Sequence, residues 1–265
     1  MTQIAPLSII GAGNVATHLA QAFTQKALPI EWIVARRLEA AQSLCQHIGQ
    51  GQPSQHLHFE MAQSRIWILA VSDDALPELA ARLKVPPGSL VAHTSGAQPL
   101  AVLEALAPTV SRGVFYPLQT FSKDKEVEMK KVPFCLEGDT PQTLAHLFTL
   151  AQSLSEQVWA VDTKQRARLH LAAVFANNFT NWMLNISERI LAEADLSPQL
   201  LAALRQETFE KAQAIGPEAA QTGPARRANH DVMRRHLALL QDQPQWAALY
   251  QLISQQIESH YQKKH

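Results

Sequence analysis

Two glycines near the beginning of the chain restrict its fold more than any other feature. The run Gly11-Ala12-Gly13-Asn14-Val15-Ala16 has the form G-x-G-x-x-A. It follows an apolar run, Leu7-Ser8-Ile9-Ile10, and opens a stretch from Asn14 to Lys26 whose Val15, Leu19, Ala22 and Phe23 share one helical face. A strand that turns directly into a helix favours a residue without Cβ at the turn, and close packing of helix on strand favours a small residue one turn later. Gly11 and Ala16 meet these needs. Gly13 leaves the backbone bare, so a pyrophosphate can approach the unpaired N–H groups at the helix start. The sequence therefore predicts that Gly11, Ala12, Gly13, Asn14 and Val15 form a dinucleotide-binding turn. A tight strand–helix turn without a ligand is the alternative reading.

Strands and helices go on alternating after this turn. Ile30 to Ala35, Ile66 to Val71 and Ser89 to Ala92 read as strands, with a weak third strand around Leu57 to Phe59. Leu38 to Ile48 and Asp73 to Leu83 read as helices. Shorter strand candidates lie at 113–115, 132–136 and 157–161. Ile66 to Val71 is apolar throughout, as expected of a strand covered on both faces. Such alternation implies right-handed crossovers and a doubly wound parallel sheet. After about residue 162 the strand signals stop. Helical patterns at 163–194, 198–214, 225–240 and 245–261 are punctuated by Pro198, Gly216-Pro217, Gly223-Pro224 and Pro244. The expected fold is α/β: a Rossmann domain over residues 1–161, a doubly wound parallel sheet, followed by an all-helical domain over 162–265.

Composition narrows the functions. The 265 residues are 46% hydrophobic and 17% charged, and 23 Lys plus Arg balance 23 Asp plus Glu. A neutral chain without a basic stripe is not expected to bind nucleic acid. The longest apolar run falls well short of the roughly 20 residues that span a bilayer, so no membrane association is expected. No basic segment precedes the first apolar run, so no signal peptide is expected. Cys45 and Cys135 show neither a metal nor a disulfide spacing. No metal site is expected, and a reducing cytoplasm is the simplest compartment.

The ends of the strands carry the candidate ligand contacts. After the second strand come Arg36 and Arg37, where an NAD site would place an acid for the ribose hydroxyls; Glu31 lies at the wrong end of that strand. A guanidinium suits a 2′-phosphate, so NADP (as NADPH) is expected rather than NAD. Ala70, Val71 and Ser72 should pass along the cofactor, with Asp73 as a helix cap. Thr94, Ser95 and Gly96 form a small polar loop, with Thr94 expected beside the cofactor and Ser95 and Gly96 beside the substrate. The segment 116–122 either lines the cleft or covers the sheet edge.

From Leu169 to Ser187 there is no Asp, Glu, Lys or Arg. At ~100° per residue, His170, Asn177, Asn181 and Glu188 fall on one stripe, with Asn178 at its margin and Phe175, Phe179, Trp182 and Met183 opposite. The stripe reads as the wall of a wet cleft or as a polar helix seam. In the first reading His170 gives the proton, Asn177 and Ser95 bind developing negative charge, and Asn178 and Asn181 contact the substrate.

The segments GAGNVATHL (11–19), ILAVSDDAL (68–76), HTSGA (93–97), GVFYPLQTFS (113–122), HLAAVFANNFTN (170–181) and TGPARR (222–227) together span most of the chain. On these segments the chain resembles Rossmann-like NADP-dependent oxidoreductases whose C-terminal helical part is a domain of unknown function. That family lies within the superfamily of 6-phosphogluconate and β-hydroxyacid dehydrogenases, ketopantoate reductases and pyrroline-5-carboxylate reductases. The resemblance implies NADPH-dependent reduction of a small carbonyl acid, with ketopantoate the leading substrate, and a homodimer formed through the helical domain. An imine reductase of the pyrroline-5-carboxylate type and a non-catalytic NADP sensor are the alternatives. The better-known dehydrogenases of that superfamily use a lysine shortly before the Asn pair; here Ala173 and Val174 stand in that region. His170 or an ordered water must then supply the proton.

Overall fold

The computed structural model describes residues 6–262. The N-terminal residues considered for a leader lie partly outside this range. An eight-stranded sheet has the order β3-β2-β1-β4-β5-β6-β7-β8. Its strands are β1 (Leu7–Ile10), β2 (Ile30–Val34), β3 (Gln52–Ser54), β4 (Ile66–Leu69), β5 (Leu90–His93), β6 (Ser111–Pro117), β7 (Phe134–Gly138) and β8 (Val158–Ala160). The helices of this part are α1 (Asn14–Gln25), α2 (Leu38–Ile48), α3 (Leu76–Arg82), α4 (Pro141–Gln152) and α5 (Thr163–Ala173).

The period-two pleat explains why the central strands read as unbroken apolar runs. Ile9, Ile33, Ile68 and Ala92 face one way, into a core with Ala16, Leu19 and Phe23 of α1 and Leu44 of α2. Ile10, Val34, Trp67, Leu69 and Val91 face the other way, against Leu76 and Ala80 of α3 and Leu103. Strands β1 to β6 are parallel to their neighbours, whereas β7 runs antiparallel to β6 and parallel to β8. The sheet is therefore mixed at one side, not parallel throughout.

Three local expectations are corrected. The third strand is Gln52–Ser54, not Leu57 to Phe59, where His58 makes only an isolated bridge to Lys84. Phe59 is buried instead between Trp32 and Trp67, at ring separations of 5.2 and 5.0 Å. The helix expected from Asp73 begins with a tight 3-10 turn, Asp73–Ala75, before α3. Ser72 occupies the cap position of that turn and no side chain caps it, so Asp73 is not a cap.

The chain separates into two compact units, the first ending at Val174 and the second running from Phe175. The first unit therefore includes α5, which the sequence assigned to the helical part. Asp162 starts α5 with a capping box, accepting from Gln165 N–H at 2.8 Å while its own N–H donates to the Gln165 side chain at 3.0 Å. A π-helical turn, Val174–Phe179, begins at the last residue of the first unit and leads into α6 (Thr180–Glu193), followed in the second unit by α7 (Ala202–Ile215), α8 (Pro217–Ala220), α9 (His230–Leu239) and α10 (Pro244–Gln262). No helix among the described residues is long and apolar enough to cross a membrane.

Candidate functional site

The strand ends of the first unit open into a cleft of about 650 Å³, a size typical of small-ligand sites. Gly11, Ala12, Gly13, Asn14, Val15, Arg36, Ala70, Val71, Ser72 and Thr94, all singled out from the sequence, line it. Gly11 has φ +127°, and a Cβ there would lie 2.0 Å from the Ala70 carbonyl oxygen. Only glycine fits that turn. Gly13 differs: a Cβ built on it would meet no described atom within 4 Å. The space above Gly13 is open and faces the first turn of α1. That turn holds no acidic residue and receives no side-chain cap, so its leading N–H groups are free to meet an anion. Ala16 is fully buried beneath.

The neighbouring side chains divide differently from the expectation. Arg36 is exposed and lines the cleft. Arg37 is the N-cap residue of α2 and does not line the cleft. Gln55, Leu57, Glu78, Leu79 and Arg82 complete this end of the cleft. Arg82 donates to Glu78 one helical turn earlier, at 2.7 Å. In the sequence that pair is indistinguishable from an ordinary solvated i, i+4 contact, so Arg82 gave no signal. Glu31 is bound elsewhere: it accepts from the N–H groups of Gln63 and Ser64 and from the Ser64 hydroxyl. Burial pushes its carboxyl up, but these hydrogen bonds outweigh it and leave the acid below its usual value.

The Asn14 side chain donates one of its two amide N–H groups to the Phe121 carbonyl at 2.8 Å. Its backbone N–H remains at the helix start. His18, one turn on, bonds the Ser122 carbonyl at 2.9 Å and packs on Phe121 at 5.0 Å. Segment 118–122 is thereby tied to α1.

Beyond β5 the polar loop is built inward. His93 is fully buried and accepts from Ser95 N–H at 3.1 Å. Burial, reinforced by the positive charge of Arg166, pushes its pKa down to about 4. Ser95 Oγ accepts from the N–H groups of Ala97 and Gln98, at 3.1 and 2.9 Å. Its hydroxyl can still donate, but its acceptor capacity is used within the loop. Gly96 lies directly beneath Tyr116 and His170; a Cβ would come within 2.5 Å of the Tyr116 ring and 2.7 Å of His170 Nδ1.

Tyr116 is the residue that the sequence reading left without a role. It sits near the end of β6, half-buried, with its hydroxyl 3.4 Å from His170 Nδ1 and the two rings edge to face. Burial pushes its pKa up to about 12, with Arg166 opposing, so it remains a neutral phenol. Its pairing with His170 depends on strand order and helix placement, which no local pattern encodes.

The expected stripe on a single regular helix is not formed. The π-turn lies between His170 and Asn181, and each of its residues advances by less than the α-helical angle. Within the second unit Asn177, Asn178 and Asn181 are exposed, and Phe175, Phe179 and Trp182 are exposed as well.

Comparison with known proteins places this architecture. A family model for Rossmann-like domains matches residues 3–119, and one for a domain of unknown function, DUF2520, matches residues 132–257. A Bacteroides fragilis protein described as an NADP oxidoreductase is 36% identical, with a TM-score of 0.87 over 96% of this chain and 98% of that one. A Thermotoga maritima protein is 22% identical, with a TM-score of 0.72 over 97% and 99%. A reductive aminase from Aspergillus terreus, in complex with NADPH and ethyl-5-oxohexanoate, shares 15% identity and a TM-score of 0.74 over 98% and 95%. At such low identity the last two show a common fold. Among curated proteins nothing matches. With the glycine turn, the mixed sheet and the following helices all matched along its length, the chain belongs to the Rossmann-like, DUF2520-bearing oxidoreductase family of the Bacteroides fragilis protein.

Proposed function

We propose that this chain binds NADPH and reduces a small C=O or C=N substrate. The observation that carries the reading is the open space over Gly13, bounded by the uncapped start of α1 and by Arg36 in one cleft. A pyrophosphate fits that opening, since backbone N–H groups and the helix dipole favour an anion there. Arg36 is the leading contact for a 2′-phosphate, and Arg82 brings a second guanidinium to the same cleft. The family relationship supports the same cofactor. NADPH, when bound, supplies the hydride.

The chain's own residues supply orientation and the proton. Protonated His170 gives a proton to the developing oxygen or nitrogen of the substrate, and the Tyr116 oxygen follows the ring through both of its states. It accepts from Nδ1–H while the imidazole is charged and still does so after Nε2 has given up its proton, since the neutral ring then keeps its hydrogen on Nδ1. The Ser95 O–H donates to developing negative charge. Asn177, Asn178 and Asn181 are proposed substrate contacts. Ketopantoate is the leading substrate by resemblance, and a cyclic imine of the pyrroline-5-carboxylate type is the alternative. The chain is proposed to act as a homodimer through its helical domain.

Calorimetry with NADPH and NADH, followed by NADPH oxidation with ketopantoate, other 2-keto acids and cyclic imines, tests this reading. Arg36→Ala is expected to raise the NADPH dissociation constant by about 10- to 100-fold, the scale of a lost charge-assisted contact, while NADH binding and the Arg37→Ala variant stay unchanged. Absence of affinity for both nucleotides overturns the whole reading. Binding without turnover of any tested substrate leaves a nucleotide sensor.

A further inference from the structure

We propose that Arg166 is a positioning residue, which locks α5 to the loop after β5 and so sets where His170 stands against Tyr116. The inference rests on the reading of His170 as proton source.

Arg166 is 1% exposed and is the one buried residue of α5. The most deeply buried attachment of the helix carrying His170 is therefore a guanidinium. One Nη of Arg166 pairs with the Glu137 carboxylate on β7. The other donates to the Gln98 carbonyl at 2.8 Å and lies 3.4 Å from Thr163 Oγ1. The Thr163 hydroxyl sits 2.9 Å from both Glu137 oxygens and accepts from Leu100 N–H at 3.3 Å. Three segments thus meet at one cation: β7, the first turn of α5, and the loop 96–100.

His170 follows Arg166 by four residues, which puts both on one helical face. The loop that Arg166 grips through Gln98 also carries Gly96, the residue over which Tyr116 and His170 meet. Helix and loop are the two sides of the His170 contact, and Arg166 joins them. A planar fork with fixed geometry sets both the height and the rotation of α5; a lysine keeps the charge but cannot bridge Glu137 and Gln98 in that way.

The test uses the full chain labelled with ¹³C at histidine, with the His170 Cε1–H signal assigned by its loss in His170→Gln. In the native protein, Tyr116→Leu should displace this signal, because the edge-to-face ring and the hydroxyl are removed. In Arg166→Lys the signal should move toward that displaced position, and adding Tyr116→Leu should then change it little. A His170 signal that stays at its native position in Arg166→Lys, with Tyr116→Leu displacing it as before, overturns the proposal. Should the lysine variant fail to fold, Glu137→Gln gives the same comparison while keeping side-chain shape.

In NADPH oxidation, Arg166→Lys should lower kcat by about 10- to 100-fold, as misplacement of a reacting group by an ångström does, with NADPH affinity unchanged. It should add nothing in a His170→Ala background. Equal losses in both backgrounds overturn the positioning role. Native turnover of His170→Ala alone overturns instead the reading on which the proposal rests, and the chemical-shift comparison still decides whether Arg166 places the ring.

Discussion

Replacing either glycine of the turn between β1 and α1 by alanine separates folding from the proposed binding. At Gly11 the added methyl collides with the Ala70 carbonyl and the φ of +127° is strained for any other residue. Gly11→Ala is expected to cost at least about 3 kcal/mol, read as a lowered midpoint in urea. At Gly13 the methyl enters open space, so Gly13→Ala should fold within about 1 kcal/mol of the native protein yet bind NADPH about tenfold more weakly or worse. His93 makes a second residue-level prediction. Its ordinary pKa of 6.5 falls to about 4 in the fold, so the unfolded chain takes up a proton that the folded chain refuses. Stability is full above pH 6.5 and falls as the pH drops from there toward 4, by roughly 3 kcal/mol at most. His93→Asn, which keeps an acceptor for Ser95 N–H, should flatten that slope in denaturation measured at pH 7 and pH 4.5. A slope unchanged by the substitution would assign the acid sensitivity to other groups.

Elements with a strong period were legible, and those defined by their neighbours were not. The apolar strands β1, β2, β4 and β5 and the helices α1 and α2 follow directly from alternation and from the 3.6-residue period. Gln52-Pro53-Ser54 has neither; it is a strand only because it pairs with Trp32 to Val34 at the sheet edge, where a proline is tolerated. The apolar residues at 57–59 drew the assignment because burial and strand formation look alike over three residues. The π-turn was invisible for a related reason. Val174 to Phe179 has ordinary helical composition, and the wider turn is a matter of backbone hydrogen-bond register, which no residue type announces. On the cleft side, glycines and an arginine at a strand end carry their chemistry in their spacing. Tyr116 and Arg166 do not, because their partners lie 54 and 29 residues away in the chain, in His170 and Glu137.

At the scale of the whole molecule, the second unit leaves much apolar surface in water. Phe175, Phe179 and Trp182 are 62%, 48% and 47% exposed, and Leu200, Leu204 and Phe209 are each more than half exposed. Large apolar side chains left exposed in this number point to a surface that another protein covers. The proposed homodimer predicts a sedimentation mass near twice 29.3 kDa at micromolar concentration. Arg substitutions at Leu204 and Phe209 should shift the protein toward the single-chain mass while leaving NADPH affinity in the first unit unchanged. A native protein that sediments as one chain would remove the dimer.

The grip of Asn14 and His18 on the carbonyls of Phe121 and Ser122 carries one more consequence. The segment leaving β6 is stitched to the very helix whose leading edge is the proposed dinucleotide contact. A ligand that orders the start of α1 is therefore expected to order residues 121 and 122 as well, a few residues beyond Tyr116, read as slower amide exchange in that segment when NADPH is added.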